Sequence, residues 1–357
     1  MNKYLILGLA ATAALLSSCS ESNDEPNPGD SGVVYPSGVH VICQGSHHLN
    51  IDGSHTFIDP VAGKATQNAF KAANGRSLGA TPQCATAYGS KIYYGIYDSN
   101  VIEVMDRTSF KSLKQISLAN GEGQQTRGVV AAEGKVYFST ADGYVVRLDT
   151  LSLDIDAKVK VGPYPEIMTV WKGTLYVPNS DGMSQTGFGR TASCIDLKTF
   201  TVTKTIDVPL NPVEFSQAGD DLLLRCSGDY YKEMGAIYRA NEDGTFDKLV
   251  EATCMAVHNN NIYYINSVYG NPVITYGVYD NNTRLTSNML VAGGEPEYPV
   301  SIGVNPKDGH IFIGSCYPSI YGYADYTVPG YVCEYDPSGH RINTYDAGVY
   351  PSAFFFN

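Results

Sequence analysis

The chain has 357 residues, with 36 Asp and Glu against 24 Lys and Arg, so its formal net charge is −12. This acidic balance disfavours nucleic acid and anionic membrane surfaces as partners. The aromatic composition is uneven, because 27 tyrosines accompany a single tryptophan.

The first residues predict an export signal. Lys3 supplies a positive charge, and the apolar stretch Tyr4–Leu16 follows it. That stretch is too short to span the roughly 30 Å of a bilayer's hydrocarbon as a helix. Leu16-Ser17-Ser18-Cys19 has the form of a bacterial lipobox. We therefore expect residues 1–18 to be a lipoprotein signal peptide and Cys19 to carry the lipid; the alternative is a plain secretory signal.

Residues 19–37 predict a flexible tether after the lipidated cysteine. Ser20–Glu25 is acid-rich, and proline and glycine follow at Pro26, Pro28 and Gly29. Such a run buries too little apolar surface to fold. Acid-rich runs in this position resemble the surface-export signal of Bacteroidota lipoproteins, which implies the extracellular face of the outer membrane. A solvated linker without an export role is the alternative.

A repeated order of short segments runs through residues 38–357. The predicted first strands start 39 to 52 residues apart, at Pro82, Thr126, Pro165, Pro212, Thr253, Pro299 and Pro351. The aromatic-rich second strands are Val39–Cys43, Lys91–Tyr94, Lys135–Phe138, Thr174–Val177, Asp221–Arg225, Asn261–Ile265 and His310–Gly314. The third strands end at Asp59, Asp106, Asp149, Asp196, Asn241, Asp280 and Asp336. This spacing predicts an all-β fold, a seven-bladed β-propeller of four-stranded blades.

The two ends of the repeat predict how the ring closes. The first unit begins at Gly38-Val39 without a first strand of its own, and the chain ends with an unpaired strand, Ser352–Phe356. We expect this C-terminal strand to complete the first blade, which removes two open sheet edges.

Seven cysteines remain besides Cys19, and they predict buried free thiols. They are Cys43, Cys84, Cys194, Cys226, Cys254, Cys316 and Cys333. No pair has CxxC spacing, and most lie inside apolar, strand-like runs. One disulfide is possible, whereas a zinc site is disfavoured.

The loops after the second strands and the links between blades lie on one face of a propeller, and here they are rich in tyrosine. Tyrosine offers a flat amphipathic surface with a hydrogen-bonding tip. We predict ligand contacts from His47, His48, Tyr97, Arg127, Tyr144, Tyr164, Phe188, Tyr230, Tyr231, Tyr269, Tyr298, Tyr317, Tyr321, Tyr323, Tyr326 and Tyr350. Packing between blades is the alternative, and we expect it for the strand tyrosines Tyr93, Tyr94, Tyr137, Tyr176, Tyr263 and Tyr264.

Metal binding and catalysis are both disfavoured by the sequence. His47, His48 and His55 fall on one predicted loop, but adjacent side chains on an extended backbone point to opposite sides, so we expect ligand contact rather than a metal site. No G-x-S-x-G, H-E-x-x-H or P-loop motif is present. Glu166, Glu214, Glu295 and Glu297 lie near predicted strand starts, where an acid–base or cation site in the channel is possible. We expect them to bond backbone groups instead, with no catalytic residue and no cofactor.

The repeats resemble those of YncE-like (YVTN-type) β-propellers. The residues that carry this resemblance are Val161–Pro165, Gly173–Asn179 and Cys194–Thr199. The resemblance covers the whole domain after the tether. It implies the propeller fold and says little about function.

Among surface lipoproteins, the chain looks most like the BtuG-like corrinoid (vitamin B12)-binding lipoproteins of Bacteroidota. That resemblance implies capture of cobalamin or a related corrinoid outside the cell and its transfer to a TonB-dependent outer-membrane transporter. Tyrosine faces would contact the corrinoid, and Arg127 or Lys232 would meet its phosphate. The alternatives are a ferric siderophore or haem as ligand, a lactonase-like or lyase-like enzyme with a channel metal, and an adhesion or scaffold propeller.

Overall fold

The computed structural model describes residues 38–289 and 291–356. The predicted signal peptide of residues 1–18, the lipidated Cys19 and the tether of residues 19–37 lie outside the described residues. Within the described part of the chain, no helix is long and apolar enough to cross a membrane.

Seven four-stranded antiparallel sheets form the domain, and each is one blade of the predicted propeller. Blade 1 contains β1 (Val39–Cys43), β2 (Ser54–Asp59), β3 (Lys64–Thr66) and the last strand, β28 (Pro351–Phe356). Blade 2 contains β4 (Pro82–Tyr88), β5 (Lys91–Ile96), β6 (Val101–Asp106) and β7 (Ser112–Ser117). Blade 3 contains β8 (Thr126–Ala132), β9 (Lys135–Thr140), β10 (Tyr144–Asp149) and β11 (Ile155–Lys160).

The remaining four blades follow in chain order. Blade 4 contains β12 (Thr169–Trp171), β13 (Thr174–Asn179), β14 (Thr191–Asp196) and β15 (Thr201–Asp207). Blade 5 contains β16 (Pro212–Ala218), β17 (Asp221–Cys226), β18 (Ala236–Ala240) and β19 (Phe246–Glu251). Blade 6 contains β20 (Cys254–His258), β21 (Asn261–Ser267), β22 (Ile274–Asp280) and β23 (Leu285–Asn288). Blade 7 contains β24 (Tyr298–Val304), β25 (Ile311–Cys316), β26 (Pro329–Tyr335) and β27 (Arg341–Val349).

Burial follows the position of a strand within its blade. The second strand of blade 1, β1, is buried at every residue, whereas the outermost strands β7 and β11 alternate between half-buried and exposed residues. Second strands are covered on both faces by neighbouring blades, so their sequences are continuously apolar and aromatic. The core therefore lies in layers between blades; Tyr137 of blade 3, for example, packs in one cluster with Val177 and Ile195 of blade 4.

The Asp at the end of the third strand has a consistent structural role. Asp59, Asp106, Asp149, Asp196 and Asp280 end their strands as predicted. Asn241 and Asp336 lie one residue beyond theirs. The carboxylates accept hydrogen bonds from backbone N–H groups two or three residues later, such as that of Thr199 on Asp196 at 2.8 Å. These contacts lower the pKa of Asp196 and close the turn to the outermost strand.

Six of the seven predicted first-strand starts lie within one residue of the observed starts. The seventh prediction, a strand starting at Pro165, is wrong. Pro165 forms only an isolated bridge with Asn179, and regular pairing in blade 4 begins at Thr169. The intervening backbone instead bonds to blade 5, because the Ile167 N–H donates to the Val213 carbonyl at 3.1 Å and the Ile167 carbonyl accepts from the Phe215 N–H at 2.9 Å.

One α-helix, α1 (Ala69–Asn74), and one 3₁₀ turn, His47–Leu49, were not expected from the sequence. The helix lies in the link between blades 1 and 2, and it buries Phe70 completely. Gly75 ends it in the left-handed conformation, with φ of 70°. A segment this short has too few residues to show a helical period.

The C-terminal strand closes the ring as predicted. β28 pairs antiparallel with β1, so that Val39 faces Phe356 and Ile42 faces Ala353. The Phe355 ring stacks on the His40 ring at 4.4 Å between centroids. The Ser301 hydroxyl donates to the Pro351 carbonyl at 2.6 Å, which joins the closing strand to blade 7.

The cysteines agree with the prediction of free thiols. All seven in the described residues are unpaired, and only Cys254 is not fully buried.

Replacing Phe355 by Ala should weaken ring closure. The side chain is 9% exposed, and deletion of a buried Phe typically costs about 3 kcal/mol or more. Urea unfolding would measure the loss. Ile320→Ala is the matched control, because Ile320 is 93% exposed; an equal effect of both substitutions would contradict the assigned role of the closing strand.

His55 should make the unfolding free energy fall with pH even at pH values above those at which carboxyl groups titrate. Burial lowers the pKa of His55 to about 3. Between about pH 3 and about pH 6.5, His55 is therefore protonated in the unfolded chain and neutral in the folded protein. Stability is therefore lost as pH falls through this window, by up to about 1.4 kcal/mol per pH unit. His55→Gln should flatten the dependence of the unfolding free energy on pH between 7 and 5. Exposed His340→Gln should leave it unchanged.

Candidate ligand-binding face

The loops after the second strands and the links between blades meet on one face of the ring, called here the loop face. Aromatic side chains of neighbouring blades touch there. The Tyr97 and Tyr164 hydroxyls lie 3.2 Å apart, and the Phe188 and Tyr230 rings are 5.7 Å apart. Further round the ring, Tyr269 stacks on Tyr323 at 5.0 Å, and Tyr326 meets Tyr350 edge-on at 4.9 Å. The structure thus brings together many of the predicted residues.

A repeated backbone conformation, stabilised by one hydrogen bond in each blade concerned, positions several of these residues. A left-handed residue that is not glycine directly precedes the first strand in four blades, at Thr81, Gln125, Asn211 and Tyr350, and Tyr164 has the same conformation five residues before β12; φ lies between 48° and 62° in all five. Each of these residues accepts, at its carbonyl, an N–H from just beyond the second strand of its blade; Ser180 N, for instance, donates to the Tyr164 carbonyl at 3.1 Å. Left-handed backbone is costly for a bulky side chain, and these hydrogen bonds hold it in place.

The first cavity of the loop face lies over the axis at blades 3 to 5 and is called here the mouth pocket. It has a volume of about 400 Å³. Its aromatic and polar lining comprises Gln44, Gln83, Arg127, Tyr164, Glu166, Phe188, Asn211, Arg225, Ser227, Tyr230 and Ser352. Four of the predicted ligand residues, Arg127, Tyr164, Phe188 and Tyr230, therefore share one cavity.

Arg127 is held in place by ionic and aromatic contacts. Its guanidinium makes a bidentate pair with Glu166, with distances of 2.8 to 3.0 Å, and donates to Gln83 at 3.1 Å. It also lies over the rings of Tyr164 at 4.9 Å and Tyr97 at 5.6 Å. Burial raises the pKa of Glu166, although the positive charge of Arg127 opposes this. The predicted phosphate contact would thus meet a guanidinium that already has a carboxylate partner.

A second ion pair, between Arg225 and Glu214, lies beside the first. The Arg225 Nε donates to Glu214 at 2.8 Å, and its Nη1 donates to the Thr253 carbonyl at 3.0 Å. Arg225 was missed as a site residue. The one signal in the sequence is a charged side chain at the end of the apolar run Leu222–Leu224.

The axial channel continues below the mouth pocket with a volume of about 500 Å³. Its polar residues are Gln83, Glu214, Ser216, Arg225, Thr253, Ser301 and Ser352, several of which also line the mouth pocket. Its apolar residues include Val129, Ile167, Val257, Ile302, Val304, Phe354 and Phe356. The channel therefore offers both hydrogen-bonding groups and an apolar wall.

The second cavity of the loop face lies between blades 6 and 7 and is called here the tyrosine pocket. It has a volume of about 420 Å³, and its lining includes Tyr269, Asn271, Pro272, Glu297, Tyr298, Val300, Tyr323 and Tyr326. The Tyr298 hydroxyl donates to the Gly322 carbonyl, which fixes the loop that carries Tyr323. Because Val300 also lines the axial channel, the tyrosine pocket adjoins the channel on the side away from the mouth pocket.

The other predicted ligand residues lie outside both pockets. Tyr144 donates to Glu122, and Lys160 lies over its ring at 4.2 Å. Tyr317 packs on Tyr331 at 4.8 Å. The side chains of His47, His48, Tyr231 and Tyr321 are exposed on the loops.

His55 does not belong to the predicted histidine loop. It lies in β2, fully buried, with its Nε2 2.9 Å from His40 Nδ1. The prediction extended the loop after β1 to Thr56, whereas the loop is only ten residues long and β2 already begins at Ser54. No group of three or more His, Cys, Asp or Glu suited to a metal occurs in the part of the chain that the structure describes.

The four glutamates near predicted strand starts have different positions. Glu166 and Glu214 do lie at the axis, but they pair with arginines rather than with backbone groups. Glu297 lines the tyrosine pocket, and Glu295 lines a separate groove with Tyr276 and Met289. A ring of four acids around the channel is therefore absent among these residues.

No protein-family model matches the chain, and no characterised protein matches it in sequence. Solved structures show the fold alone. Kuenenia stuttgartiensis hydrazine synthase aligns with a TM-score of 0.55 and 14% identity, over 71% of this chain and 76% of that one. The RRP9 WD40 repeats align with a TM-score of 0.54 and 9% identity, over 75% and 81%. The Neurospora crassa Pan2 WD40 domain aligns with a TM-score of 0.53 and 10% identity, over 74% and 77%. The chain is a seven-bladed β-propeller.

Replacing Arg127 by Met should destabilise the fold, because it leaves the Glu166 carboxylate buried without its partner. Breaking a buried pair in this way typically costs about 3 kcal/mol or more. Arg190→Met is the control, since Arg190 and Glu233 form an exposed pair, with side chains 53% and 48% accessible, and such pairs contribute about 1 kcal/mol or less. Urea unfolding of both variants would compare them; equal losses would contradict the distinction between the two pairs.

Proposed function

We propose that this protein is a cell-surface lipoprotein that captures cobalamin or a related corrinoid on its loop face. The observation that carries the proposal is the arrangement of that face. Two aromatic-lined cavities adjoin one axial channel whose lining is partly polar and partly apolar. A large ligand that is itself part apolar and part polar matches such a face better than a small metabolite does.

The chemistry of a corrinoid suits these groups. Its macrocycle is a broad amphipathic disc, and tyrosine rings supply flat contacts for it with little loss of side-chain entropy. Its amide arms find neutral partners in Gln44, Gln83, Asn211 and the serines of the mouth pocket. The resemblance of the chain to BtuG-like lipoproteins supports the same ligand class.

The sequence before the propeller supports a location on the extracellular face of the outer membrane, with Cys19 as the lipid anchor. We propose that a TonB-dependent transporter receives the ligand there. We also propose that the protein binds without catalysing a reaction, since the carboxylates of Glu166 and Glu214 at the axis both have arginine partners. No cofactor is included in the proposal.

The whole chain, purified in detergent, should bind cyanocobalamin saturably in isothermal titration calorimetry. Substituting Ala at both Tyr269 and Tyr323 should weaken binding at least about tenfold, because it removes the stacked pair of the tyrosine pocket. Leu151→Ala with Leu285→Ala is the control: both leucines are 68% exposed on the opposite face, Leu151 in the turn before β11 and Leu285 at the start of β23. Absence of saturable binding, or an equal loss in the control, would overturn the proposal.

A further inference from the structure

The mouth pocket and the axial channel below it share a balanced set of four charges. The side chains of Arg127 and Arg225 are only 20% and 15% exposed, and each lies 2.8 Å from a glutamate oxygen, that of Glu166 or Glu214. The formal charge of the four groups is therefore zero. Each guanidinium has a carboxylate partner before any ligand arrives.

Both guanidiniums donate hydrogen bonds to acceptors within the protein. Arg127 donates to Glu166 and Gln83, and Arg225 donates to Glu214 and the Thr253 carbonyl. The other polar groups of the mouth pocket are neutral, namely the amides of Gln44 and Asn211 and the hydroxyls of Ser227 and Ser352. A ligand that enters the pocket therefore meets neutral donors and acceptors rather than a free positive charge.

The tyrosine pocket likewise offers no positive charge among its described lining residues. Glu297 is the one charged residue in its lining among the described residues, and it is negative. An anion would lose hydration on entering either cavity and would gain no unpaired cation in exchange. The carboxylates of Glu166 and Glu214 would also repel it at short range.

We infer that the mouth pocket selects ligands without net negative charge and that Glu166 is the specificity-determining residue. The inference deepens the proposed function and rests on it, because the proposed function identifies the loop face as the ligand-binding face. In this arrangement Glu166 neutralises Arg127 and thereby prevents the pocket from binding carboxylate-bearing analogues of similar size and shape.

The matched variants are Glu166→Gln and Glu233→Gln. Both remove one negative charge from the loop face. Only Glu166→Gln leaves a buried guanidinium without its counter-charge, because Glu233 belongs to the exposed pair with Arg190 at 2.6 Å. Glu214→Gln, which uncovers Arg225 in the same way, serves in place of Glu166→Gln if circular dichroism shows that the latter does not fold.

The probes are cyanocobalamin, its monocarboxylic acid with one amide arm hydrolysed, and haem with its two propionates. Calorimetry on the whole chain in detergent would measure each dissociation constant at low and high salt. The wild-type protein should prefer cyanocobalamin to the monocarboxylic acid by on the order of tenfold. Glu166→Gln should remove that preference and tighten haem binding by on the order of tenfold at low salt, and the gain should disappear at high salt. Glu233→Gln should behave as the wild type.

Three results would overturn the inference: equal binding of the neutral and the acidic cobalamin by the wild type, equal shifts in the Glu166 and Glu233 variants, or no gain for either anion in Glu166→Gln. Failure of the wild type to bind cyanocobalamin is a different result. It would overturn the proposed ligand, while the response of haem binding to Glu166→Gln against Glu233→Gln would still decide the charge inference.

Discussion

Backbone pairing between β1 and β28 joins residues about 310 positions apart, as the contact of Ser352 with Ile42 shows. Bringing such distant segments together costs loop-closure entropy, and contacts of this range form late and slowly in folding. Apolar contacts between neighbouring blades offset this entropy cost. They are complete only in a closed ring, in which every blade has a neighbour on both sides. The closing strand supplies the last neighbour, with Phe355 against His40 and Phe354 near Phe312.

The loop face depends on this closure for its geometry. Tyr350 is at the link into the closing strand, and it contacts Tyr326 of blade 7 while its carbonyl accepts from Gln44 of blade 1. Ser352 and Ala353 of the closing strand line both the mouth pocket and the axial channel. The pockets are therefore products of the closed ring rather than of any one blade.

Local features of the sequence were enough to predict the fold. The Asp that ends most third strands stabilises its turn through contacts within a few residues, and the aromatic second strands are continuous in sequence, so both were visible without a structure. The start of blade 4 was predicted wrongly, because Pro165 precedes a segment whose backbone bonds are made with another blade. The helix over Ala69–Asn74 was missed since six residues show no period.

The candidate site was only partly predictable, for a related reason. The side of the ring on which a loop lies follows from strand order, so the aromatic residues of the loop face were identifiable. The partner of Arg127 was not, because Glu166 lies one blade away and the contact depends on how neighbouring blades meet at the axis. Arg225 faces Glu214 across the paired strands β16 and β17 of blade 5, so that ion pair depends on the register of one hairpin, which was not predicted. The sequence predicted that Arg127 would contact a phosphate, whereas the structure shows its charge already neutralised by Glu166.

The buried thiols bear on how the chain folds when oxidants are present. Burial raises the pKa of Cys43 to about 11 and those of Cys84, Cys226 and Cys316 to about 12. Since the thiolate is the reactive form in disulfide exchange, burial slows the reaction of these four thiols with oxidants in the folded protein. An unfolded chain has no such protection, and random crosslinking would trap it. In an oxidising solution the ring must therefore close before its sulfurs react, and renaturation in the laboratory calls for a reductant.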